Sequence, residues 1–450
     1  MERAIEEFVR GLGLDAYVVG GAVRDELLGR QSKDADFVVP GVDYDGLRAA
    51  LEPHGRVEDL EVAGRRVGAR LYPRDPALRK LAPAGIELAP PRAERSTGPG
   101  RHDFEIVADP SLSIERDMER RDFTVNAMAR RLETDELVDP YDGKADLEAG
   151  VLRTVGPRSF AEDPLRLVRG LRLVSELGLD PDESTLAQMR AEADSVRLVS
   201  GERVGGGLGA DGMGELSKLL LGAQPAKALR LARDTGVLTA LLPEFGPTIG
   251  LDQSSRRQHL TLDEHIFSVV QAAADAGAPL AVRLAALLHD LGKPEAGGDH
   301  AELSAEIGAE VLDRLRYPTR LRAQVTRIVR AHSFTLADVD ELFARRFLRE
   351  HGEETAFELV TLKECDLRSK WVPPEELEAA ARLRLLLEQE RSGPHRLSDL
   401  AVDGADLIEL GFTEGPGLGR TLDSLLDAVV EDPALNTREQ LLERARRQLK

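Results

Sequence analysis

Cysteine is almost missing from this chain: Cys365 is the single one in 450 residues. That excludes a disulfide framework and a cysteine-built zinc site, and it fits a reducing cytoplasm. Long apolar runs are missing too. None approaches the ~18 residues that a membrane span needs, and the first segment, MERAIEEFVR, is acidic and amphipathic, so neither secretion nor membrane insertion is expected. Aromatic residues make up only 4% of the chain, which argues against rows of stacking platforms of the kind single-strand binders use. Positive charge is outnumbered, with 60 Lys and Arg against 80 Asp and Glu and a net charge of −20. A protein that coats nucleic acid over its whole surface is thereby excluded, and any RNA partner must meet a local basic patch. What the chain does have is 42% hydrophobic content, enough for roughly two to four compact units.

Up to about Arg131, short β-rich runs (AYVVGG, ADFVV, RVGARLY, IELA, HDFEIV) alternate with Gly and Pro punctuation and one or two helical patterns. From about Asp146 the pattern changes. LVRGLRLVSELGL, LSKLLLG and PAKALRLARDTGVLTALL place apolar residues at three- and four-residue spacing, which predicts an almost wholly helical remainder. Two breaks interrupt it: Gly205 to Gly214, with six glycines in ten residues, and Pro243 to Gly250.

The densest chemical signal is YVVGGAVRDELLGRQSKDADFVV. A strand ends at Gly20 and Gly21, a short helix follows, and a second strand carries Asp34 and Asp36. Residues two apart on a strand share a face, so the two carboxylates offer hard oxygen ligands to a pair of magnesium ions, the arrangement used for in-line displacement at a triphosphate. Glycines without side chains let backbone N–H groups approach the phosphates at the start of the helix, and Arg24 adds charge to that cradle. Two exposed aspartates after an ordinary strand–turn–helix unit is the plainer reading of either half alone.

This segment resembles the signature of the nucleotidyltransferase superfamily and, more narrowly, the class II tRNA nucleotidyltransferase and poly(A) polymerase family. ERRDFTVNAMARRL matches that family's RRDFTxNAM element at Arg121, Asp122 and Asn126. The resemblance implies that these residues bind the triphosphate and shape the site; a guanidinium fork on phosphate oxygens and an amide that donates and accepts suit that role. Glu87, in IELAPPRAERSTGPG, is a third candidate acidic ligand, with a surface strand residue as its simpler reading. AEDPLRLVRGLRL matches the family's EDxxR motif at Glu162, Asp163 and Arg166, with Arg169 and Arg172 extending a basic stripe. An aspartate with an arginine complements the amine and ring nitrogen on the Watson–Crick edge of cytosine and adenine and opposes guanine and uracil. Asp163 before Pro164 is also a good helix N-cap, and Glu162 with Arg166 a good i,i+4 pair, so structural and base-reading roles both stand.

Between His259 and His351 lie six of the nine histidines. LDEHIFSVV, VRLAALLHDLGKPE, DHAELSAEIGAEVL, VRAHSF and ECDLRSK resemble the HD superfamily of metal-dependent phosphohydrolases. The resemblance implies metal ligands at His265, His289, Asp290 and Asp366, with His300 and His332 as second-metal or phosphate contacts. Imidazole with carboxylate suits Mn, Fe, Co, Ni, Zn or Mg alike, and a retained scaffold that binds metal poorly remains the alternative to a hydrolase.

Gly207, Gly209 and Gly212 satisfy GxGxxG without a preceding strand, so a loop is expected rather than a dinucleotide site. DPYDGKAD lacks the closing glutamate of a calcium loop and reads as a turn into a helix. Arginines near Arg256 and in ERARRQLK read as solvated helix faces. The expected fold is α+β: a small α/β nucleotidyltransferase head at residues 1–135, a helical neck and body at 136–255, an HD domain at 256–372 and a helical tail at 373–450. The function the resemblance implies is addition of CCA, or part of it, to tRNA from CTP and ATP with Mg2+. Poly(A) synthesis, or an HD phosphohydrolase with a silent head, are the alternatives.

Overall fold

The computed structural model describes residues 2–31, 36–62, 64–96, 104–206, 213–253, 256–296 and 300–449. It forms two compact units, Met1–Pro243 and Glu244–Lys450.

The first unit opens with nine strands: β1 (Tyr17–Val19), β2 (Asp36–Val38), β3 (Gly55–Val62), β4 (Arg65–Pro73), β5 (Ile86–Ala89), β6 (Arg92–Ser96), β7 (Phe104–Ala108), β8 (Ala129–Arg131) and β9 (Leu137–Val138). Seven of them make one sheet in the order β3-β4-β5-β2-β1-β8-β9, while β6 and β7 pair as a separate hairpin. Only β2 and β5 run parallel within the sheet, and their register sets Asp36 beside Glu87. The period-2 alternation sends Val18 and Phe37 to one face and Val19 and Val38 to the other. On the first face they pack with Leu71, Ile86, Leu88 and the helices Arg3–Gly11 and Tyr44–Leu51. On the second they meet Ile114, Met118 and Ala127. Each such buried side chain contributes about 1.5–3 kcal/mol, so both faces of this short-stranded sheet are secured by apolar burial.

Beyond the sheet the chain is helical, as the three- and four-residue spacing predicts, with helices at Leu165–Leu177, Glu183–Glu192, Glu215–Leu221 and Pro225–Thr235. Leu165–Leu177 ends at Gly178, whose φ of 72° is a left-handed stop. DPYDGKAD is the expected turn: the Asp139 carboxylate accepts from the backbone N–H groups of Gly143 and Lys144 and opens the helix Gly143–Ala149. Gly207, Gly209 and Gly212 lie outside the described residues, as does Asp34.

The second unit is all helix among its described residues. Leu262–Asp275, Leu280–Leu288, Ala301–Arg314, Thr319–Ala331, Glu341–His351, Glu353–Arg368 and Pro374–Glu390 pack around buried Leu284, Val325, Leu359 and Leu383. The C-terminal helices close over a small core of their own, formed by Leu407, Leu425, Val429 and Leu441. No helix is long and apolar enough to cross a membrane among the described residues.

Candidate active sites

A cavity of about 590 Å³ in the first unit collects nearly every transferase residue singled out from the sequence: Gly21, Arg24, Asp36, Glu87, Arg121, Asp122, Asn126, Asp163, Arg166 and Arg169. Asp36 stands exposed at the start of β2. Glu87, its neighbour across the sheet, takes hydrogen bonds from Arg70, including one of 2.9 Å from Nε, so this carboxylate already has a cationic partner.

Gly20 does not line the cavity, but it shapes it. Its φ is 70°, and a Cβ there would lie 2.5 Å from Nη1 of Arg121. Glycine is therefore required twice at this position, for the turn and for the passage of a guanidinium. Beyond it runs a chain of polar contacts. Arg24 Nη1 donates to Asn126 Oδ1 (2.7 Å), Asn126 Nδ2 donates to Asp122 Oδ1 (3.1 Å), and Asp122 Oδ2 faces Arg169 Nη2 at 3.1 Å. Only an amide can stand between a donor and an acceptor in this way, which explains asparagine at 126. Burial would raise the Asp122 carboxyl, but Arg169, the Asn126 amide and Arg166 hold it below its ordinary value. Arg169 is raised in turn, chiefly by Asp122.

Asp163 and Arg166 share the cavity without pairing to each other. Asp163 Oδ1 accepts from Leu165 N (3.1 Å), the expected cap, and Oδ2 accepts from Arg203 Nη2 at 2.9 Å. Arg166 meets Glu162 at 3.2 Å, the expected i,i+4 pair, and its Nη2 donates to the Arg120 carbonyl at 2.7 Å. Sequence reading missed Arg203, which reaches Asp163 from forty residues away. It also missed Asp117. This carboxylate has no solvent exposure; it receives Arg120 (2.8 Å), Arg121 (3.2 Å) and the backbone N–H of Arg92 (3.0 Å). Its helical spacing of three and four residues from the two arginines was the available signal.

The second unit gathers a different set. His265 comes from the helix Leu262–Asp275, His289 and Asp290 follow Leu280–Leu288, Asp366 rides on Glu353–Arg368, and all four are buried. His265 Nε2 lies 3.4 Å from Asp290 Oδ2 and 3.2 Å from Asp366 Oδ1, and His289 Nε2 lies 3.2 Å from Asp290 Oδ2. His300 Nε2 sits 2.8 Å from Asp290 Oδ1 and 3.2 Å from His332 Nε2. Two groups are thus close enough to hold a divalent ion, His265 with His289 and Asp290, and Asp290 with His300 and His332, with Asp290 common to both.

The fit to a metal rests on unsatisfied atoms. His265 Nε2, His289 Nε2 and Asp366 Oδ1 are buried without a hydrogen-bond partner, and they converge on one point. His289 Nδ1 is bonded to the Ala286 carbonyl (2.8 Å) and His332 Nδ1 to the Val329 carbonyl (2.6 Å), which turns each Nε2 lone pair inward. Burial pushes His289 down to about 4, so it is neutral and able to ligate at pH 7. Asp290 is held well below the carboxylate range: burial opposes ionisation, and the surrounding imidazoles overcome it. Lys293 reaches Asp290 at 2.5 Å and Lys370 reaches Asp366 at 2.6 Å. These lysines, three and four residues after the ligands, were not singled out from the sequence. With Arg257, His300 and His332 they line a cavity of about 550 Å³.

Three family descriptions match the chain: a poly(A) polymerase head domain at residues 16–153, a probable RNA and SrmB-binding site of polymerase A at 178–248, and an HD domain at 262–370. A multifunctional CCA protein of Ralstonia nicotianae is 34% identical over 424 residues, covering 89% of each chain. One from Xanthomonas campestris pv. campestris is 35% identical over 443 residues, 92% of this chain and 97% of that protein. Among solved structures, the Bacillus stearothermophilus CCA-adding enzyme in complex with CTP superposes with a TM-score of 0.70 at 25% identity, covering 100% of this chain and 99% of that one. The Thermotoga maritima CCA-adding enzyme complexed with tRNA shares the fold at a TM-score of 0.58 and 22% identity, covering 100% and 94%.

Proposed function

We infer the activity from a plain premise: this chain belongs to the family of multifunctional CCA proteins. It is a tRNA nucleotidyltransferase that adds C and A residues to the 3′ end from CTP and ATP. The observation that carries this reading is one cavity holding Asp36, the RRDFTxNAM residues and the EDxxR pair together. The relatives' CCA addition favours this over poly(A) synthesis. Residues 1–135 serve as the catalytic head, 136–255 as neck and body, 256–372 as the HD domain and 373–450 as the tail, in a cytoplasmic enzyme.

Asp36, with Asp34, holds Mg2+, which supplies activation of the terminal RNA hydroxyl and charge neutralisation at the triphosphate. Arg24 and Arg121 bind phosphate oxygens, with Gly20 and Gly21 keeping side chains out of their path and Asp122 and Asn126 fixing their positions. Asp163 and Arg166 read the base. Their structural bonds leave capacity for base reading, since a carboxylate offers about four lone-pair sites and a guanidinium five N–H groups. The histidine–aspartate cavity is a phosphohydrolase site whose ligands suit Mn, Ni, Co, Fe or Zn.

Supplying tRNAs that end before CCA, after C and after CC with each nucleoside triphosphate in turn tests the transferase reading. The native chain is expected to take CTP at the first two ends and ATP at the third. Asp36→Ala is expected to fold normally, since an exposed carboxylate is lost, and to incorporate nothing above about one-thousandth of the native rate. Near-native incorporation by that variant would overturn the metal assignment.

A further inference from the structure

Trp371 is the only tryptophan of the chain, and at 68% exposure it is the most exposed of the large apolar side chains among the described residues. Its ring is nevertheless held. The indole stacks on the imidazole of His259 with centroids 4.7 Å apart and planes within 11° of parallel. Its backbone N–H donates to the Arg257 carbonyl at 2.9 Å, tying the segment after the helix Glu353–Arg368 to the segment before Leu262–Asp275. One face of the ring is therefore packed, and the exposure belongs to the other face and the edge.

The surroundings select a ligand class. Lys370, the preceding residue, grips the metal-type ligand Asp366, and Arg257, paired with Glu376, lines the same cavity as Lys293 and His300. A protein partner would favour a continuous apolar patch, yet no other large apolar side chain is exposed among the described residues of 256–261 or 369–376. A lone ordered indole beside cations and a phosphoester-type cavity suits a molecule with a planar π-face on one end and phosphate on the other.

We propose that the Trp371–His259 stack is a nucleobase platform, so that the phosphate ester taken by the neighbouring histidine–aspartate cavity is that of a nucleotide, free or at an RNA 3′ end. The proposal rests on reading that cavity as a metal-dependent phosphoester site. Because the ring is already ordered, little freedom is lost when a base stacks on it.

Trp371 is its own reporter, since no second tryptophan contributes to the emission. Manganese-loaded full-length protein would be titrated with adenosine monophosphate, ribose 5-phosphate, inorganic phosphate and a tRNA bearing a 3′-terminal phosphate. Quenching is expected with adenosine monophosphate and absent with ribose 5-phosphate and inorganic phosphate; stronger quenching by the tRNA assigns the platform to RNA ends, and weaker to free nucleotides. In calorimetry Trp371→Leu is expected to weaken adenosine monophosphate binding about tenfold, the size of one stacked base, and to leave phosphate binding unchanged. Equal quenching by ribose 5-phosphate, native affinity in Trp371→Leu, or quenching that vanishes in Arg166→Ala would each overturn the platform. Hydrolysis of p-nitrophenyl phosphate reports the cavity separately: its absence with every metal, alongside base-dependent quenching, would reject the phosphoester reading while keeping the stack.

Discussion

At Asp117 a single carboxylate without solvent exposure keeps two guanidinium groups side by side at the nucleotide cavity. Burial works against its ionisation, and Arg120 and Arg121 overcome that, leaving its titration below the ordinary aspartate value. A depressed carboxylate contributes stability that is fully present above the unfolded value of about 3.9 and is lost as pH falls towards the folded one. Asp117→Asn is expected to lower unfolding stability by about 3 kcal/mol at pH 7, read by urea denaturation, and to flatten the acid limb of stability below about pH 4. The KM for CTP and ATP should also rise, since the two arginines then repel each other without a counterion. Native stability and an unchanged acid limb in that variant would remove Asp117 from this role. Residues whose chemistry is local, such as Asp36 or the His289–Asp290 pair, were legible in the sequence because motif and ligand type coincide. Arg203 was not, because its bond to Asp163 depends on a fold that returns the chain across forty residues.

The helix Leu165–Leu177 is the element that brings base reading to the head, carrying Arg166, Arg169 and Arg172 at three-residue intervals along the cavity. Its approach is set at Gly170, where a Cβ would stand 2.8 Å from Cζ of the fully buried Phe123. Gly170→Ile is expected to push the helix off the RRDFTxNAM segment. Overpacking of this kind costs about 1–3 kcal/mol, and nucleotide addition should fall at least tenfold while manganese binding by the histidine cavity stays native. Full activity at an unchanged melting temperature would show that the helix position is not set there. Periodicity alone foretold this helix, and alternation foretold β1, β2 and β5, because each element's own burial pattern is written in consecutive residues. The sheet order β3-β4-β5-β2-β1-β8-β9 and the contact of Gly170 with Phe123 are tertiary facts with no local trace.

Across the whole molecule, the two candidate centres lie in separate compact units, so their ligands share no element. Replacing His289 and Asp290 together with Ala is expected to abolish metal-dependent hydrolysis of phosphate esters while CTP and ATP addition persists within about twofold. Loss of nucleotide addition in a variant with native circular dichroism would show coupling instead. The two linings differ in one further respect. Every basic residue around the transferase cavity is an arginine, and no histidine, lysine, cysteine or tyrosine is among its described lining residues. The other cavity is lined by His300 and His332 with Lys293, Lys363 and Lys370. Crowded cations explain the difference, because an ammonium among like charges sheds its proton readily and a guanidinium does not. The first cavity is in consequence proton-silent: between about pH 5 and 10 its described lining contains no side-chain type that ordinarily exchanges a proton, so the field a triphosphate meets there is set by covalent structure and not by the acidity of the medium.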